Sequence, residues 1–238
     1  MKTFLSIDWD YFIGASAKER KLLFPDGGNE NLPAFVLDII WASRYGGSVR
    51  LAEQHKDIRK IDVIGVLDKE LQVLTEYIEK WGVPVIVAES HSEAYGVFRS
   101  RLGAKEKCDI VNIDYHHDVY RNREGFVDCG NWLSELFRVN KLNNLIWVAR
   151  DDSDELPKQH AGNKQITIRT DFEAVLSEMA VPECVFICRS GAWSPPHLDA
   201  RLNDLLEKVY SEPLPDRYTN EFKEGVKWDI EQMANLLK

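Results

Sequence analysis

The sequence has few cysteines, and their spacing matches no metal-binding or redox motif. The four cysteines (Cys108, Cys129, Cys184 and Cys188) form no CxxC pair, which excludes a zinc knuckle and a thioredoxin-like redox motif. Cys184 and Cys188 flank the apolar residues 185–187, so we expect them to be buried free thiols. The sequence therefore gives no indication of a cysteine-based site.

Basic charge and long apolar runs are also scarce. Lys and Arg total 30 against 39 Asp and Glu, a net charge of -9, which argues against a nucleic-acid or anionic-membrane partner. No apolar run is long enough to cross a membrane. The amino terminus reaches an acid at Asp8, which is not typical of a signal peptide. We therefore expect a cytoplasmic protein.

The chain of 238 residues, 44% of them hydrophobic, has the size of one large domain, which we expect to span residues 1–238. Apolar strand patterns alternate with helical patterns, and this alternation predicts a mostly parallel sheet covered by helices on both faces. The fold class expected is α/β, as a single-domain three-layer sandwich. The predicted strands are 3–10, 61–67, 84–88, a central strand starting at 108, 144–149, 165–169 and 184–188, and the predicted helices are 32–44, 69–80, 93–102, 131–139, 172–180, 197–210 and 220–237, with a loop at 11–30.

The central stretch, residues 108–118, starts as a short apolar run and ends in acids and histidines. A strand places residues i, i+2 and i+4 on one face, so Asp114, His116 and Asp118 are expected to project together from its carboxyl end. Asp8 and Asp10 have the same spacing at the end of the first strand. Acids at the end of a core strand need a cation to neutralise them, and a divalent metal is the simplest one. The alternative is a polar strand end that leads into a loop.

Ligands of parallel α/β sheets bind beyond the carboxyl ends of the strands, and this rule joins the separate segments into one site. The third predicted strand ends near His91, which adds a second imidazole. The predicted metal ligands are Asp8, Asp10, His91, Asp114, His116 and Asp118. Six oxygen and nitrogen ligands suit a pair of harder ions, with manganese plausible, better than one zinc ion. Two such ions lower the pKa of a shared water towards neutrality.

These motifs resemble those of the arginase and ureohydrolase superfamily. Asp114-x-His116-x-Asp118 is similar to its DxHxD motif, Ser6-x-Asp8-x-Asp10 to its SxDxD motif, and His91 to the histidine of its GGDHS segment. The resemblance implies an arginase-like fold and two Mn²⁺ ions. It places one ion on His91, Asp114, Asp118 and Asp8, and the second on His116 and Asp10, with Asp114 and Asp8 bridging.

The chain also departs from that family. The SxDxD strand comes first rather than late, as in a circular permutation, which preserves a site if the strand keeps its place in the sheet. The loop with Cys129, Gly130 and Asn131 resembles the arginase substrate loop, but Leu133 stands where a proton-shuttling histidine is expected. His117 is therefore a candidate for proton transfer, or else for orienting a neighbouring carboxylate.

Other candidate site residues follow from chemistry or from the resemblance. Asp118 is a candidate catalytic residue beside its role as a ligand. Glu89 and Asp128 are candidates for binding a guanidinium, with solvated or supporting acids as the alternative. Four aromatic residues are candidates for lining a peptide groove: Trp9, Tyr11, Trp132 and Trp193. The alternative is that they are core residues, which we expect for at least half of them. The candidate substrate-binding residues are Glu89, Asp128, Cys129, Gly130, Asn131 and Trp193.

The first strand and residues 189–196 are similar to those of small, atypical peptide arginases. That likeness implies hydrolysis of arginine side chains in a ribosomally synthesised precursor peptide to ornithine, with release of urea. The sequence thus predicts a manganese-dependent, arginase-like hydrolase whose partner is an arginine-containing peptide. Three alternatives remain: a ureohydrolase of free arginine or agmatine, a deacetylase-like amidohydrolase, and a non-catalytic metal-binding or peptide-binding relative.

Overall fold

The computed structural model describes residues 1–25, 32, 34–120, 125–160 and 162–210. These residues contain six strands, seven α-helices and four short 3₁₀ helices. The strands are β1 (Lys2–Asp8), β2 (Val85–Ala88), β3 (Cys108–Ile113), β4 (Leu142–Val148), β5 (Ile166–Arg169) and β6 (Val185–Cys188). The helices are α1 (Ala17–Leu23), α2 (Ala34–Gln54), α3 (Asp68–Trp81), α4 (Glu93–Ser100), α5 (Trp132–Arg138), α6 (Phe172–Glu178) and α7 (Asp199–Val209).

All six strands run parallel in the order β2-β6-β1-β3-β4-β5. β1 lies between β3 and β6, and Ile7 is level with Ile113 on one side and Ile187 on the other. Because the strands are parallel, all their carboxyl ends meet at one edge of the sheet. The predicted α/β class is confirmed, and the sheet is entirely parallel.

Successive side chains of β1 pack into two different cores, one on each face of the sheet. Leu5 and Ile7 belong to a core that includes residues of α3, α6 and α7. Phe4 points to the opposite face, where it joins a second core with residues of α4 and α5. This alternation is the period-two pattern of a strand buried on both faces, and it gives three layers, as predicted.

The predicted strand at 61–67 is wrong. The chain instead makes a 3₁₀ helix at Ile61–Val63 and one isolated antiparallel bridge between Val66 and Ile13. Ile61 and Ile64 are buried, while Val63 is 61% exposed. Burial therefore follows the i, i+3 spacing of a helical turn rather than the alternation of a strand.

The predicted loop at 11–30 contains a helix, α1. Its start is fixed by a capping box: the Ser16 hydroxyl accepts the Glu19 N–H, and the Glu19 carboxylate accepts the Ser16 N–H. The Ser-x-x-Glu spacing is a sequence signal for a helix start. The loop prediction followed the turn-rich residues after it instead.

The predicted end of this helix at residue 44 is also wrong, because α2 continues through Gly46 and Gly47 to Gln54. Glycine inside a helix costs about 1 kcal/mol relative to alanine. Beyond the glycines Ser48 is buried and Leu51 packs against the core, and removing apolar surface from water gains about 25 cal/mol per Å². Packing therefore outweighs the glycine penalty.

Two other expectations concern a C-terminal helix and the absence of a membrane-spanning segment. The helix expected at 220–237 lies outside the described residues. Within the described residues, no helix combines the length and the apolar character needed to cross a membrane.

The core beneath the carboxyl edge gives a stability prediction. Phe98 of α4 stacks on Phe4 with ring centroids 4.7 Å apart and also contacts Trp132 and Phe186. We expect Phe98→Ala to lower the free energy of unfolding by about 3–5 kcal/mol, measured by urea titration. Phe126 is 57% exposed, so Phe126→Ala, the same chemical change, should cost less than about 0.5 kcal/mol. Equal losses in the two variants would contradict this core assignment.

Candidate metal centre

The end of β1 supplies two carboxylates, but not from one strand face as the sequence predicted. β1 ends at Asp8, and Trp9–Phe12 form a 3₁₀ helix. Asp8 caps this turn, its Oδ1 accepting the N–H of Asp10 at 3.0 Å. All four residues of this turn are buried. The Ile13 N–H donates to the Asp10 carbonyl at 3.1 Å, an i, i+3 contact that a helical turn makes and an extended strand does not.

The end of β3 supplies three more candidate ligands, again from a loop rather than from the strand. β3 ends at Ile113, and the Asp114 Oδ1 accepts the N–H of His116 at 2.7 Å. Asp118 has a φ of 50°, a left-handed conformation that occurs in a few per cent of non-glycine residues. The loop thus brings Asp114, His116 and Asp118 to one place, as predicted, by turning rather than by strand alternation.

His91 reaches this edge from β2 by crossing over β6. Its ring lies parallel to the Phe186 ring at 6.0 Å, and its Nε2 lies 2.6 Å from the Ser6 hydroxyl. The other ring nitrogen, Nδ1, faces three carboxylates. Its distances to Oδ2 of Asp8, Asp114 and Asp118 are 3.3, 3.3 and 2.9 Å.

Two groups of these side chains could each hold a metal ion. The first comprises Asp8, His91 and Asp114, and the second comprises Asp10, Asp114 and His116. Within each group the ligand atoms lie within 4.8 Å of one another. Asp114 belongs to both groups, so the two positions are adjacent. Asp118 stands beside the first group through its contact with His91.

The second group passes a chemical test of fit for a cation. The Asp10 side chain is fully buried, and within the described residues neither of its carboxylate oxygens accepts a hydrogen bond. Yet Oδ2 lies 3.0 Å from Nδ1 of His116. A buried carboxylate needs a partner. A carboxylate oxygen and an imidazole nitrogen that face each other are a pair of ligand atoms that divalent ions bind.

The ionisation of these groups shows the same shortage of positive charge. Burial and the charges of Asp10 and Asp114 raise the pKa of Asp8 to about 7, and burial and Asp118 raise the pKa of Asp114 to about 7. Burial would lower the pKa of His116, but the Asp10 carboxylate prevails and raises it to about 10. Close carboxylates in a dry site thus favour bound protons or metal ions.

Three neutral side chains hold the ligands in place, and the sequence analysis did not assign them that role. Asn112 donates to Asp114 Oδ2 at 3.1 Å, and Trp132 donates to Asp118 Oδ2 at 2.6 Å. Ser6 contacts His91 as described above. Ser6 and Asn112 each precede an aspartate by two residues, so a buried polar residue on the ligand face was a usable signal.

Arg20 of α1 is a further component that the sequence analysis missed. Its NH1 lies 3.7 Å from Asp10 Oδ2, and its NH2 donates to the Asp10 carbonyl at 2.6 Å. Its guanidinium carbon lies 3.8 Å from the centroid of the Tyr115 ring. The imidazole of His116 and the guanidinium of Arg20 overcome the effect of burial and hold the pKa of Asp10 below its usual value.

The predicted substrate loop is organised by its own hydrogen bonds. Asn131 Oδ1 accepts the Asp128 N–H at 2.8 Å, and Asp128 Oδ1 accepts the Gly130 N–H at 3.0 Å. Cys129 is half-buried. The loop leads directly into Trp132, which contacts Asp118, so it borders the ligands. Its part in substrate binding stays a prediction.

Glu89 and Trp193, two of the candidate substrate-binding residues, have different neighbours. The Glu89 carboxylate lies 3.3 Å from NH1 of Arg189, which also pairs with Asp199. Glu89 therefore already faces a guanidinium of the chain.

Trp193 is adjacent to the second group, its ring centroid 5.1 Å from that of His116. The loop that carries it is held by α2, since Trp41 donates to the Gly191 carbonyl at 2.7 Å.

His117 belongs to neither of the two ligand groups. Its Nδ1 accepts the Val119 N–H at 3.1 Å, and its ring contacts Tyr120 and Trp147. Burial and the nearby His116 lower the pKa of His117 to about 4, so its ring is neutral at pH 7. Leu133, at the expected shuttle position, is fully buried in the core beside α4.

A pocket of about 330 Å³ opens beside the second group. Its lining residues are Ala17, Arg20, Lys21, Phe24, Tyr115, His116, Asp154 and Trp193. It gives His116, whose side chain is 22% exposed, a route to solvent, whereas His91 is 1% exposed.

Comparisons with protein-family models, with curated proteins and with solved structures found no match to this chain.

The shared aspartate predicts how metal stoichiometry responds to substitution. With Mn²⁺ as the probe ion, we expect Asp114→Asn to remove most metal binding by both groups and Asp10→Asn to remove binding by the second group alone, measured by equilibrium dialysis and elemental analysis. Asp109 lies at the opposite end of β3 and accepts hydrogen bonds from Asn143 and Asn144. Asp109→Asn should therefore keep two ions, and full binding by Asp114→Asn would rule out the shared position.

The raised pKa values predict that protons and metal compete. Metal ligands must be deprotonated, so Mn²⁺ binding at pH 7 should release protons from the histidines and from Asp8 and Asp114. Affinity should rise as the pH is raised from about 6 to about 8, because the two aspartates ionise near pH 7. Calorimetry in buffers of different ionisation enthalpy measures the proton count, and zero release would contradict these shifts.

Proposed function

We propose that the protein is a manganese-dependent hydrolase of guanidino groups. Its preferred substrate is arginine within a ribosomally synthesised peptide, which it converts to ornithine with release of urea. Free arginine or agmatine are alternative substrates of the same chemistry. The proposal extends the motif resemblance to the adjacent ligand groups of the folded chain.

One observation carries this proposal: two buried groups of carboxylate and imidazole ligands share Asp114. A single-ion site would leave Asp10 and His116 without a function, although they face each other at 3.0 Å. Paired ions are used by hydrolases that activate water. When bound, the two ions supply Lewis-acid polarisation and a water molecule of lowered pKa, so that hydroxide is available near neutral pH.

The residues of the chain supply the geometry and the proton handling. Asp8, His91 and Asp114 hold one position, and Asp10, Asp114 and His116 hold the other. Asn112 and Trp132 keep the Asp114 and Asp118 carboxylates from rotating by donating to them. Trp132 fixes the Asp118 carboxylate by donating to its Oδ2, and burial raises the pKa of Asp118. In this proposal Asp118 accepts a proton from the attacking water and passes it to the departing amine.

The pocket beside His116 is the proposed entry for the arginine side chain. Trp193 offers aromatic surface to a guanidinium, and Asp154 offers an acid at the wall. A side chain entering here reaches the second group first, because His116 lines the pocket. The residues of the loop 125–131 would then contact the flanking peptide.

A second candidate, hydrolysis of a neutral amide as in deacetylases, is favoured by one observation. Arg20 and Lys21 also line the pocket, and cations there suit an amide carbonyl better than a guanidinium. Against this candidate, the usual single zinc ion of such enzymes would use three or four ligands. The six candidate ligands at this edge therefore make guanidino hydrolysis the better-supported reaction.

The first test is urea release by protein stripped of metal and reloaded with Mn²⁺. Free arginine, agmatine, an arginine peptide and an acetyl-lysine peptide are offered side by side. We expect urea from the arginine peptide, with a mass loss of about 42 Da per arginine as guanidine becomes amine. Asp8→Asn and His116→Ala should lower the rate by more than about 100-fold, while Asp109→Asn should match the wild type.

The outcomes separate the candidates. Urea from free arginine or agmatine alone moves the activity to a small-molecule ureohydrolase. Acetate from the acetyl-lysine peptide, without urea, supports the amide candidate. Two bound ions with no product from any substrate would leave a metal-binding protein and refute the proposed activity.

A further inference from the structure

The two ligand groups differ in the number of carboxylates around them. His91 Nδ1 faces Asp8, Asp114 and Asp118, all within 3.3 Å. His116 Nδ1 faces Asp10 at 3.0 Å and the shared Asp114 at 3.9 Å. Within 3.9 Å the His91 nitrogen therefore faces three carboxylates and the His116 nitrogen faces two, and Asp114 is common to both. Attraction for a dication grows with this count.

A positive charge also stands beside the second group. Arg20 NH1 lies 3.7 Å from Asp10 Oδ2, the same oxygen that faces His116. Among the described residues, Arg20 Nε has no hydrogen-bond partner, so the charge is only partly compensated. In the first group Asp8 and Asp118 pair with His91 instead. A nearby cation in a low-dielectric site opposes binding of another cation.

Arg20 is fixed in this position rather than free to swing away. Its NH2 donates to the carbonyls of Asp10 and Ile13, at 2.6 and 3.0 Å, and it packs on the Tyr115 ring. The helix that carries it is anchored at Glu19, which binds Arg59 as well as Ser16. The guanidinium therefore remains close to Asp10 when an ion arrives.

Exposure adds to the difference in charge. The His91 side chain is 1% exposed and the His116 side chain 22% exposed, and His116 lines the pocket. Water can therefore compete for an ion at the second position more readily than at the first. When the second position is empty, Arg20 remains available to balance the Asp10 carboxylate.

We propose that the centre binds its two ions unequally, tightly at Asp8–His91–Asp114 and weakly at Asp10–Asp114–His116. Arg20 is the positioning residue that sets the lower affinity, acting through Asp10. The second ion is therefore exchangeable through the pocket, and the ambient metal concentration determines its occupancy. This inference rests on the two-ion centre of the proposed function, but not on the substrate.

The test titrates metal-free protein with Mn²⁺ alone and counts free Mn²⁺ by electron paramagnetic resonance. We expect two classes of site whose dissociation constants differ by at least about tenfold. Arg20→Gln removes the charge and keeps an amide donor near the Asp10 carbonyl. It should tighten the weak class by about tenfold and leave the tight class unchanged.

Two further variants separate charge from structure. Arg20→Lys keeps the charge and should keep the weak class weak. Lys21 is the next residue on α1, is exposed and lines the same pocket, so Lys21→Gln should change neither constant, because water screens its charge. If Arg20 were merely a structural support, Arg20→Gln would weaken the second site, and circular dichroism would show whether α1 is retained.

The possible results are distinguishable from failure of the proposed activity. Two equal affinities in the wild type, or a weaker second site in Arg20→Gln, overturn the inference even if urea is released. Two unequal classes without urea from any substrate refute the activity and support the inference. Absence of Mn²⁺ binding overturns both.

Discussion

The repulsion among four buried aspartates is the constraint on which this end of the molecule depends. Asp8, Asp10, Asp114 and Asp118 are each at most 4% exposed, and carboxylates packed this closely cannot all ionise without cations. The chain supplies histidines, one arginine and two neutral donors, which orient the acids without neutralising all of them. Divalent ions would complete the balance, and for this reason a metal site accounts for the arrangement better than a structural salt-bridge cluster.

The sheet and the surrounding loops contribute different properties to the centre. The first group is built on β1, β2 and β3 and is enclosed by Phe186 and Trp132. The second group depends on a 3₁₀ turn, on α1 and on the loop with Trp193, and both α1 and Trp193 line the pocket. A rigid position and an accessible one therefore share Asp114. This division suits a site in which one ion fixes geometry and the other meets the incoming ligand.

The sequence sufficed to predict the parallel sheet and to bring His91, Asp8 and Asp114 to one edge, because parallel strands end on the same side. It did not predict the position of Asp10. The prediction applied strand spacing to residues that form a 3₁₀ turn, and the burial of Trp9 and Phe12 in the core favours that turn. Arg20 could not be found from local pattern at all. Its contact with Asp10 arises because α1 packs close to the end of β1. The capping box at the start of α1, by contrast, can be recognised in the sequence.

The position of Leu133 constrains where the catalytic proton can come from. In α5 the side chains of Trp132, Leu133 and Leu136 are buried in the core against α4, so a histidine at 133 would lie in apolar surroundings. The same helix turns the indole of Trp132 towards Asp118, 2.6 Å away. The helix thus supports a ligand-loop carboxylate instead of presenting a shuttle. If the proposed reaction occurs, its proton passes through the carboxylates of the centre, and Asp118 is the one that α5 holds in place.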